Sequence, residues 1–187
     1  LNDLDYDSLG NNQTFDAGTL KTSAADWVRV MPGSYFTLRP GEKRELDVVL
    51  TVPNDVKTEI PVHTAMLFLT QLNPGDGRAA DGTSIKVSVR MGIKIYHSFN
   101  QSDERDIEVL NFTDVLPNKD DKTTGGYLEL KLSNTGKQWL EGKVKWEVLN
   151  TQTGEKKKLE DQEIFSLPGD QRLIRQNLPP NMAKGKY

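Results

Sequence analysis

Apolar and polar residues alternate along most of this chain, in short segments separated by turn-forming residues. The segment Glu45–Val52, for example, carries four aliphatic side chains at every second position, and Pro53 ends it. A period of two residues predicts a strand with one face in a core and the other in water. No window has the three- and four-residue spacing of an amphipathic helix. The pattern therefore predicts an all-β chain.

Strands follow strands throughout the sequence, with turns about every 8 to 12 residues, which is typical of antiparallel sandwiches rather than of a parallel sheet. Val62–Gln71 is the most continuously apolar of these segments, so we expect both of its faces to be buried. Ser84–Tyr96 is the longest alternating run and is expected to be an edge strand. The other predicted strands are Trp27–Met31, Tyr35–Leu38, Glu45–Val52, Ile107–Phe112, Tyr127–Ser133, Trp139–Leu149, Lys156–Phe165 and Gln171–Gln176.

A polar segment, Asn100–Arg105, interrupts this pattern and lacks large apolar residues, as interdomain linkers do. It predicts two small immunoglobulin-like β-sandwich domains, residues 1–99 and 100–187. The first begins abruptly with an acidic strand, and the second stops where a strand starts. We therefore expect both sandwiches to be incomplete, with the native chain extending at both ends or a partner supplying the missing strands.

Aromatic residues indicate where each core lies. We expect Trp27 and Phe68 in the core of the first domain, because aromatic side chains bury the most area in a small sandwich. Trp139 and Trp146 have opposite parity along one predicted strand, so at most one of them can face the core of the second domain.

Charge and composition exclude several classes of function. The net charge is −3 and the pI is about 5.5, which argues against a nucleic-acid partner. The one basic run, Lys156–Lys158, has acidic neighbours and reads as a solvated hairpin. The absence of cysteine excludes disulfides, thiol catalysis and cysteine-based zinc sites. No apolar stretch approaches the roughly 20 residues of a membrane span.

Catalytic motifs are also missing. The chain contains no nucleophile elbow, no phosphate-binding glycine loop and no paired metal-binding histidines. Its two histidines, His63 and His97, have no catalytic neighbours in sequence, so we expect both at the surface. The sequence thus predicts a protein that is not an enzyme, needs no cofactor and acts by binding another protein.

Asp3, Asp5 and Asp7 imitate the start of a calcium-binding loop. Ser8 stands where that loop has its turn glycine, and Thr14 stands where it has its bidentate glutamate. We therefore expect an acidic edge strand and no metal site.

Several passages, in order and spacing, resemble the PapD-like periplasmic chaperones that assemble surface fibres in Gram-negative bacteria. The resemblance runs from about residue 24 onward. The matching passages are Trp27–Pro32 with Phe36–Glu42, Val52-Pro53 with Val62–Gln71, Ile85–Tyr96, Leu132–Gly136, Leu167–Asp170, and Leu178-Pro179 with Gly185–Tyr187.

This resemblance implies donor-strand complementation, in which the long edge strand fills the groove of an incomplete β-sandwich subunit. The groove-filling residues would be Ile85, Val87 and Val89, with Met91 as a fourth. The alternative is that this row belongs to the core of the chain's own first domain. Lys94, on the opposite face, would bind the subunit's terminal carboxylate; otherwise it is an ordinary solvent-facing lysine.

The sequence departs from the family pattern in two places. The family's first two strands, one of which carries an anchoring arginine, have no counterpart, and His97-Ser98 replaces a common Arg-Pro. These departures leave open a second function, that of a structural or adhesive module in a larger envelope or surface protein. Both functions imply the periplasm or the cell envelope of a Gram-negative bacterium.

Overall fold

The computed structural model describes residues 1–56, 58–73, 76–78, 83–99, 103–115, 126–179, 182 and 185–187; the side chains of residues 76–78 and 85 lie outside this description. The described chain forms several antiparallel sheets, and its only helical element is one 3₁₀ turn at Ala25–Trp27. The all-β prediction is therefore confirmed. Part of the predicted linker, residues 100–102, lies outside the described residues.

The described chain divides into two compact units. Unit 1 comprises residues 1–5 and 13–99, and unit 2 comprises residues 6–12 and 100–187. The short segment 6–12 therefore belongs with the second half of the chain, although it lies near the N-terminus.

Unit 1 contains a four-stranded sheet, in the order β2-β1-β5-β8, and two strand pairs, β3-β4 and β6-β7. Tyr6, the last residue of β1, and Asn12, the first residue of β2, fall in unit 2. The strands are β1 (Asn2–Tyr6), β2 (Asn12–Asp16), β3 (Val28–Met31), β4 (Asp47–Leu50), β5 (Val62–Thr70), β6 (Asp76–Arg78), β7 (Ser84–Lys86) and β8 (Arg90–Ser98).

The core of unit 1 forms around Trp27, which the 3₁₀ turn holds between β5 and the β3-β4 pair. Backbone bonds fix this segment on both sides: Ala24 donates to the Thr64 carbonyl at 2.9 Å, and Thr51 donates to the Trp27 carbonyl at 2.8 Å. The Trp27 cluster consists of the buried residues Ala24, Ala25, Trp27, Val28 and Ala65, with Val52, Val56, Ile95 and Phe99 packed against them.

Strand β5 runs through the middle of this unit. Every residue from Val62 to Leu67 is buried, on both faces of the strand. This confirms the prediction of two buried faces for Val62–Leu67 only, since Phe68 and Leu69 are half-buried and residues 70–71 are exposed. Because successive side chains alternate, Ala65 faces the Trp27 cluster, while Thr64 lies on the other face and donates its hydroxyl to the Leu4 carbonyl.

Unit 2 contains a three-stranded sheet, in the order β15-β10-β9, and two strand pairs, β11-β14 and β12-β13. Its core consists of Leu132, Trp146 and Ile174, with Leu128, Leu130, Val144, Leu159 and Ile164 against them. The strands are β9 (Ile107–Val115), β10 (Tyr127–Asn134), β11 (Leu140–Val144), β12 (Glu147–Leu149), β13 (Lys156–Lys158), β14 (Gln162–Ser166) and β15 (Gln171–Asn177).

Two of the predicted strands in unit 2 are each divided. The run Trp139–Leu149 forms β11 and β12, and the run Lys156–Phe165 forms β13 and the start of β14. Both divisions fall at the same level, where Leu159 donates its backbone N–H to the Trp146 carbonyl. Trp146 is buried at this point and Trp139 is only half-buried, which confirms that no more than one of the two faces the core.

Other predictions about unit 1 are wrong. Tyr35–Leu38 forms no strand, and Tyr35 is 84% exposed. Phe68 is half-buried outside the Trp27 cluster: its partner in β8 is Gly92, on the sheet face opposite Ala65, and the Arg90 guanidinium lies 3.6 Å from its ring centroid.

The prediction that both histidines lie at the surface is also wrong. His63 is only 3% exposed, and its ring centroid lies 4.5 Å from that of Trp27. His97 is half-buried directly opposite it on β8, and its ring packs against Phe99 at 4.6 Å. Both imidazoles lie on the sheet face that contacts the Trp27 cluster, so they act as packing aromatics.

Candidate partner-binding edge

Strand β8 lies at one edge of the four-stranded sheet. It pairs with β5 over nine residue pairs, from Thr70 opposite Arg90 to Val62 opposite Ser98. On its other side no strand is found among the residues that the structure describes. Strand edges of this kind can accept a strand from another molecule.

The predicted strand Ser84–Tyr96 is interrupted before it reaches this edge. Ser84–Lys86 pairs with β6 as β7, residues 87–89 have no strand assignment, and β8 starts at Arg90. The ladder ends at Gln71, whose carbonyl accepts the Ser88 hydroxyl at 2.8 Å. A side-chain donor thus takes a position that a backbone amide would fill in a continuing ladder. The prediction of one continuous strand is therefore wrong at residues 87–89.

Four apolar side chains on this segment are exposed at every second position. Val87 is 63% exposed, Val89 53%, Met91 57% and Ile93 45%. We call these four residues the exposed row. Val87, Val89 and Met91 were predicted site residues, and Ile93 was missed although it continues the same alternation. The side chain of Ile85, the first predicted residue, lies outside the described part of the chain.

The face of β8 that carries the exposed row leads, one position further along, to the core of unit 1. Met91 and Ile93 lie opposite Leu69 and Leu67, and the next residue on the same face, Ile95, packs against the Trp27 cluster. The alternative, that this row belongs to the core, is therefore wrong for Val87, Val89 and Met91, because all three are exposed. Their role as groove-filling residues stays a prediction. The four residues of the exposed row lie in water, and contact with the core begins at Ile95.

The backbone of the segment has a defined orientation. Gln71 donates its N–H to the Val89 carbonyl at 2.8 Å, so the backbone groups of Val89 point toward β5. In an antiparallel ladder this direction alternates, and the backbone groups of Arg90 and Gly92 therefore point toward the open edge. An added strand would pair with those residues while its side chains lay beside the exposed row.

Gly92 leaves no room for a side chain on the opposite face. A Cβ there would lie 2.9 Å from the Met66 sulfur and 3.2 Å from a Phe68 ring carbon. The glycine thus lets those two side chains lie close to the backbone of β8 at the point where it is exposed.

Lys94 lies on that opposite face, in the position paired with Met66, and it is exposed. Arg90 shares this face, and its guanidinium covers the Phe68 ring. With Lys86 they make three cations between residues 84 and 98, a range that contains no acidic residue. The segment therefore presents apolar side chains on one face and positive charge on the other.

The prediction of an acidic edge strand at the N-terminus is wrong, because β1 lies between β2 and β5 in the sheet. Asp3 and Asp7 have structural partners instead. Asp3 accepts hydrogen bonds from the Gly18 and Leu20 amides and from the Ser23 hydroxyl. Asp7 closes a turn, accepting from the Leu9 and Asn11 amides and from the Asn11 side chain. The Asn11 side-chain bond, followed by the Asn11 amide and weaker bonds, lowers the pKa of Asp7 below its ordinary value. Within the described ranges, no cluster of three or more His, Asp or Glu residues could bind a metal.

Searches against models of protein families, against curated proteins and against solved structures found no match to this chain. In the part of the chain that the structure describes, no helix has the length and apolar character needed to span a membrane.

Proposed function

We propose that this chain is an assembly chaperone that binds incomplete β-sandwich fibre subunits by donating the segment Val87–Lys94 to them. The observation that carries the proposal is the exposed row at a sheet edge. Proteins usually cover or charge such edges, because an uncovered apolar strand promotes aggregation. An uncovered row with outward-directed backbone groups is what a strand-accepting partner requires.

Binding would follow the physics of β-augmentation. Backbone hydrogen bonds from the Arg90 and Gly92 region would hold the partner strand, and Val87, Val89, Met91 and Ile93 would enter apolar pockets in the subunit. The anchoring of Ile95 in the Trp27 cluster would keep the base of the donated segment rigid, which lowers the entropy lost on binding. No chemical step is required, so the proposed activity is binding without catalysis and without a cofactor.

Lys94 would contribute by charge. It lies just beyond the exposed row and on the opposite face, where an ammonium group can pair with a carboxylate at the end of a partner strand. We propose the terminal carboxylate of the subunit as that partner. We also infer that the two units are immunoglobulin-like domains and that the chain acts in the periplasm or cell envelope of a Gram-negative bacterium.

The second function considered, a structural or adhesive module in a larger envelope protein, would use the same edge for permanent assembly. A chaperone must release its subunit, whereas a structural module keeps its neighbour. The two functions therefore differ in whether a captured subunit exchanges with free subunit.

The proposal is tested by co-expressing the chain in a Gram-negative periplasm with candidate fibre subunits whose β-sandwich lacks a strand. Val87→Asp places a carboxylate in the subunit groove, where an unpaired buried charge costs about 3–5 kcal/mol. Capture should fall more than about a hundredfold. Val49→Asp is the matched control, because Val49 is an exposed valine of the same unit, on β4.

Val49→Asp should capture subunits as the unmodified chain does, and both variants should keep the thermal unfolding temperature of the free protein. Capture that persists in Val87→Asp would contradict the proposal. So would unfolding of the Val87→Asp variant on its own, since that would make the residue part of the core. Exchange of a captured subunit with labelled free subunit then distinguishes a chaperone from a structural module.

A further inference from the structure

Strand β9 forms a second open edge, in unit 2. It pairs with β10 from Val115 opposite Tyr127 to Ile107 opposite Asn134. Among the described residues, no strand pairs with the side of β9 that faces away from β10.

Three apolar residues of β9 are exposed although they lie on the core face of the sheet. Val109 is opposite the buried Leu132, and Phe112 is opposite Leu130. Nevertheless, Val109 is 60% exposed and Phe112 is 58% exposed. Ile107 is 40% exposed on the same face. A bulge between Lys131 and Leu132 shifts the alternation, which explains the spacing of 107, 109 and 112.

This apolar face continues that of the core. The Phe112 ring lies 6.2 Å from the ring of Trp146, which is buried. One side of the Phe112 ring thus faces the core and the other is uncovered. A further extended strand beside β9 would pair with its open edge and cover Ile107, Val109 and Phe112.

Charge indicates which strand would fit. Strand β9 carries Glu108 and Asp114 and no basic residue. The segment 84–98 carries Lys86, Arg90 and Lys94 and no acidic residue. The two edges therefore match in three respects: both have open backbone groups, both have an uncovered apolar row, and their charges are opposite.

We propose that a second copy of this chain donates residues 86–94 to the open edge of β9, so that copies associate head to tail. The donor and acceptor surfaces are different, which makes the interface heterologous and allows copies to add in series. The proposal rests on the strand-donating role of the exposed row, but not on any subunit. A subunit bound to the exposed row would prevent this self-association.

The test is sedimentation of the purified intact chain over a wide range of concentration. The average mass should rise above the monomer mass of 21.0 kDa as concentration increases. Val109→Asp, on the acceptor, and Val87→Asp, on the donor, should each remain monomeric, while Val49→Asp should associate as the unmodified chain does. High salt should weaken association, because opposite charges contribute to it.

Mixing the two monomeric variants gives the sharpest result. The Val109→Asp copy keeps an intact donor and the Val87→Asp copy keeps an intact acceptor, so an equimolar mixture should form a species of twice the monomer mass and nothing larger. A synthetic peptide of residues 84–95 should compete with self-association of the unmodified chain. It also tests the acceptor if Val109→Asp fails to fold.

A chain that stays monomeric at every concentration would overturn the proposal. So would association that survives Val109→Asp, or a mixture that does not form the two-copy species. Subunit capture by Val109→Asp separates this proposal from the proposed function. If this variant captures subunits but does not self-associate, both proposals are supported. If it captures subunits and still self-associates, this proposal fails and the proposed function stands.

Discussion

Arg172 and Asp170 form a buried ion pair in unit 2, with 2.6 Å between Nη2 and a carboxylate oxygen. Arg172 is 4% exposed, and its other nitrogens donate to the carbonyls of Phe165 and Asp7. The same guanidinium thus connects the turn before β15, the end of β14 and the N-terminal segment 6–12, which belongs to this unit.

Removing the acidic partner should destabilise unit 2. Asp170→Ala leaves the guanidinium charge buried without its carboxylate, which costs about 3–5 kcal/mol of unfolding free energy. The control is Glu163→Ala, because the pair Lys143–Glu163 is exposed at both ends and such pairs contribute about 1 kcal/mol or less. Urea denaturation followed by circular dichroism measures both. Equal effects of the two substitutions would contradict this account of Arg172.

The core of unit 1 should depend on Trp27. Trp27 is 7% exposed and is the largest member of the Trp27 cluster. Trp27→Ala should therefore lower the free energy of unfolding by about 3–5 kcal/mol. Tyr35→Ala is the control, since Tyr35 is 84% exposed and its loss should change stability by no more than about 0.5 kcal/mol. A loss below about 1 kcal/mol for Trp27→Ala would show that the cluster is not the core.

The Asp7 turn should respond to pH. Its hydrogen bonds to the carboxylate depress the pKa in the folded chain, so the carboxylate stabilises the turn above the ordinary aspartate pKa. This contribution is lost as pH falls below the ordinary aspartate pKa and through the lower pKa of the folded chain. We expect the stability difference between the unmodified chain and Asp7→Asn to shrink as pH is lowered through this range. Melting temperatures of both proteins from neutral to acid pH would show it, and parallel curves would rule it out.

The local pattern of apolar residues was sufficient to predict the all-β class, from its alternation, and the burial of Val62–Leu67 in β5, from a continuous apolar run. It could not predict where strands break. The interruption at residues 87–89 depends on the Ser88 hydroxyl reaching Gln71, and the division at Trp146 depends on a pairing with Leu159. Contacts between residues distant in sequence decide both breaks.

Tertiary position also decided the residues that the sequence misplaced. His63 looks like a surface residue because it is polar, but its parity on β5 places it against Trp27. Glycine is required at position 136 for a reason that the neighbouring sequence does not show. A Cβ on Gly136 would lie 2.6 Å from the Glu104 carbonyl oxygen, a neighbour that the turn sequence does not reveal.

The candidate site was predicted in part for the same reason. Periodicity placed Val87, Val89 and Met91 on one face, but it could not show where exposure ends and the core begins. That limit lies between Ile93 and Ile95 and is set by the position of the Trp27 cluster. Ile93 was therefore missed, although its spacing matches the rest of the row.

Photo-crosslinking shows whether the exposed row enters a partner subunit. Benzoylphenylalanine is placed at Val89 or, as the control, at Val49, and each protein is irradiated in complex with a co-expressed subunit. We expect a covalent adduct at position 89, mapping to the apolar groove of the subunit, and none at position 49. A complex that forms but crosslinks at position 49 and not at position 89 would contradict it.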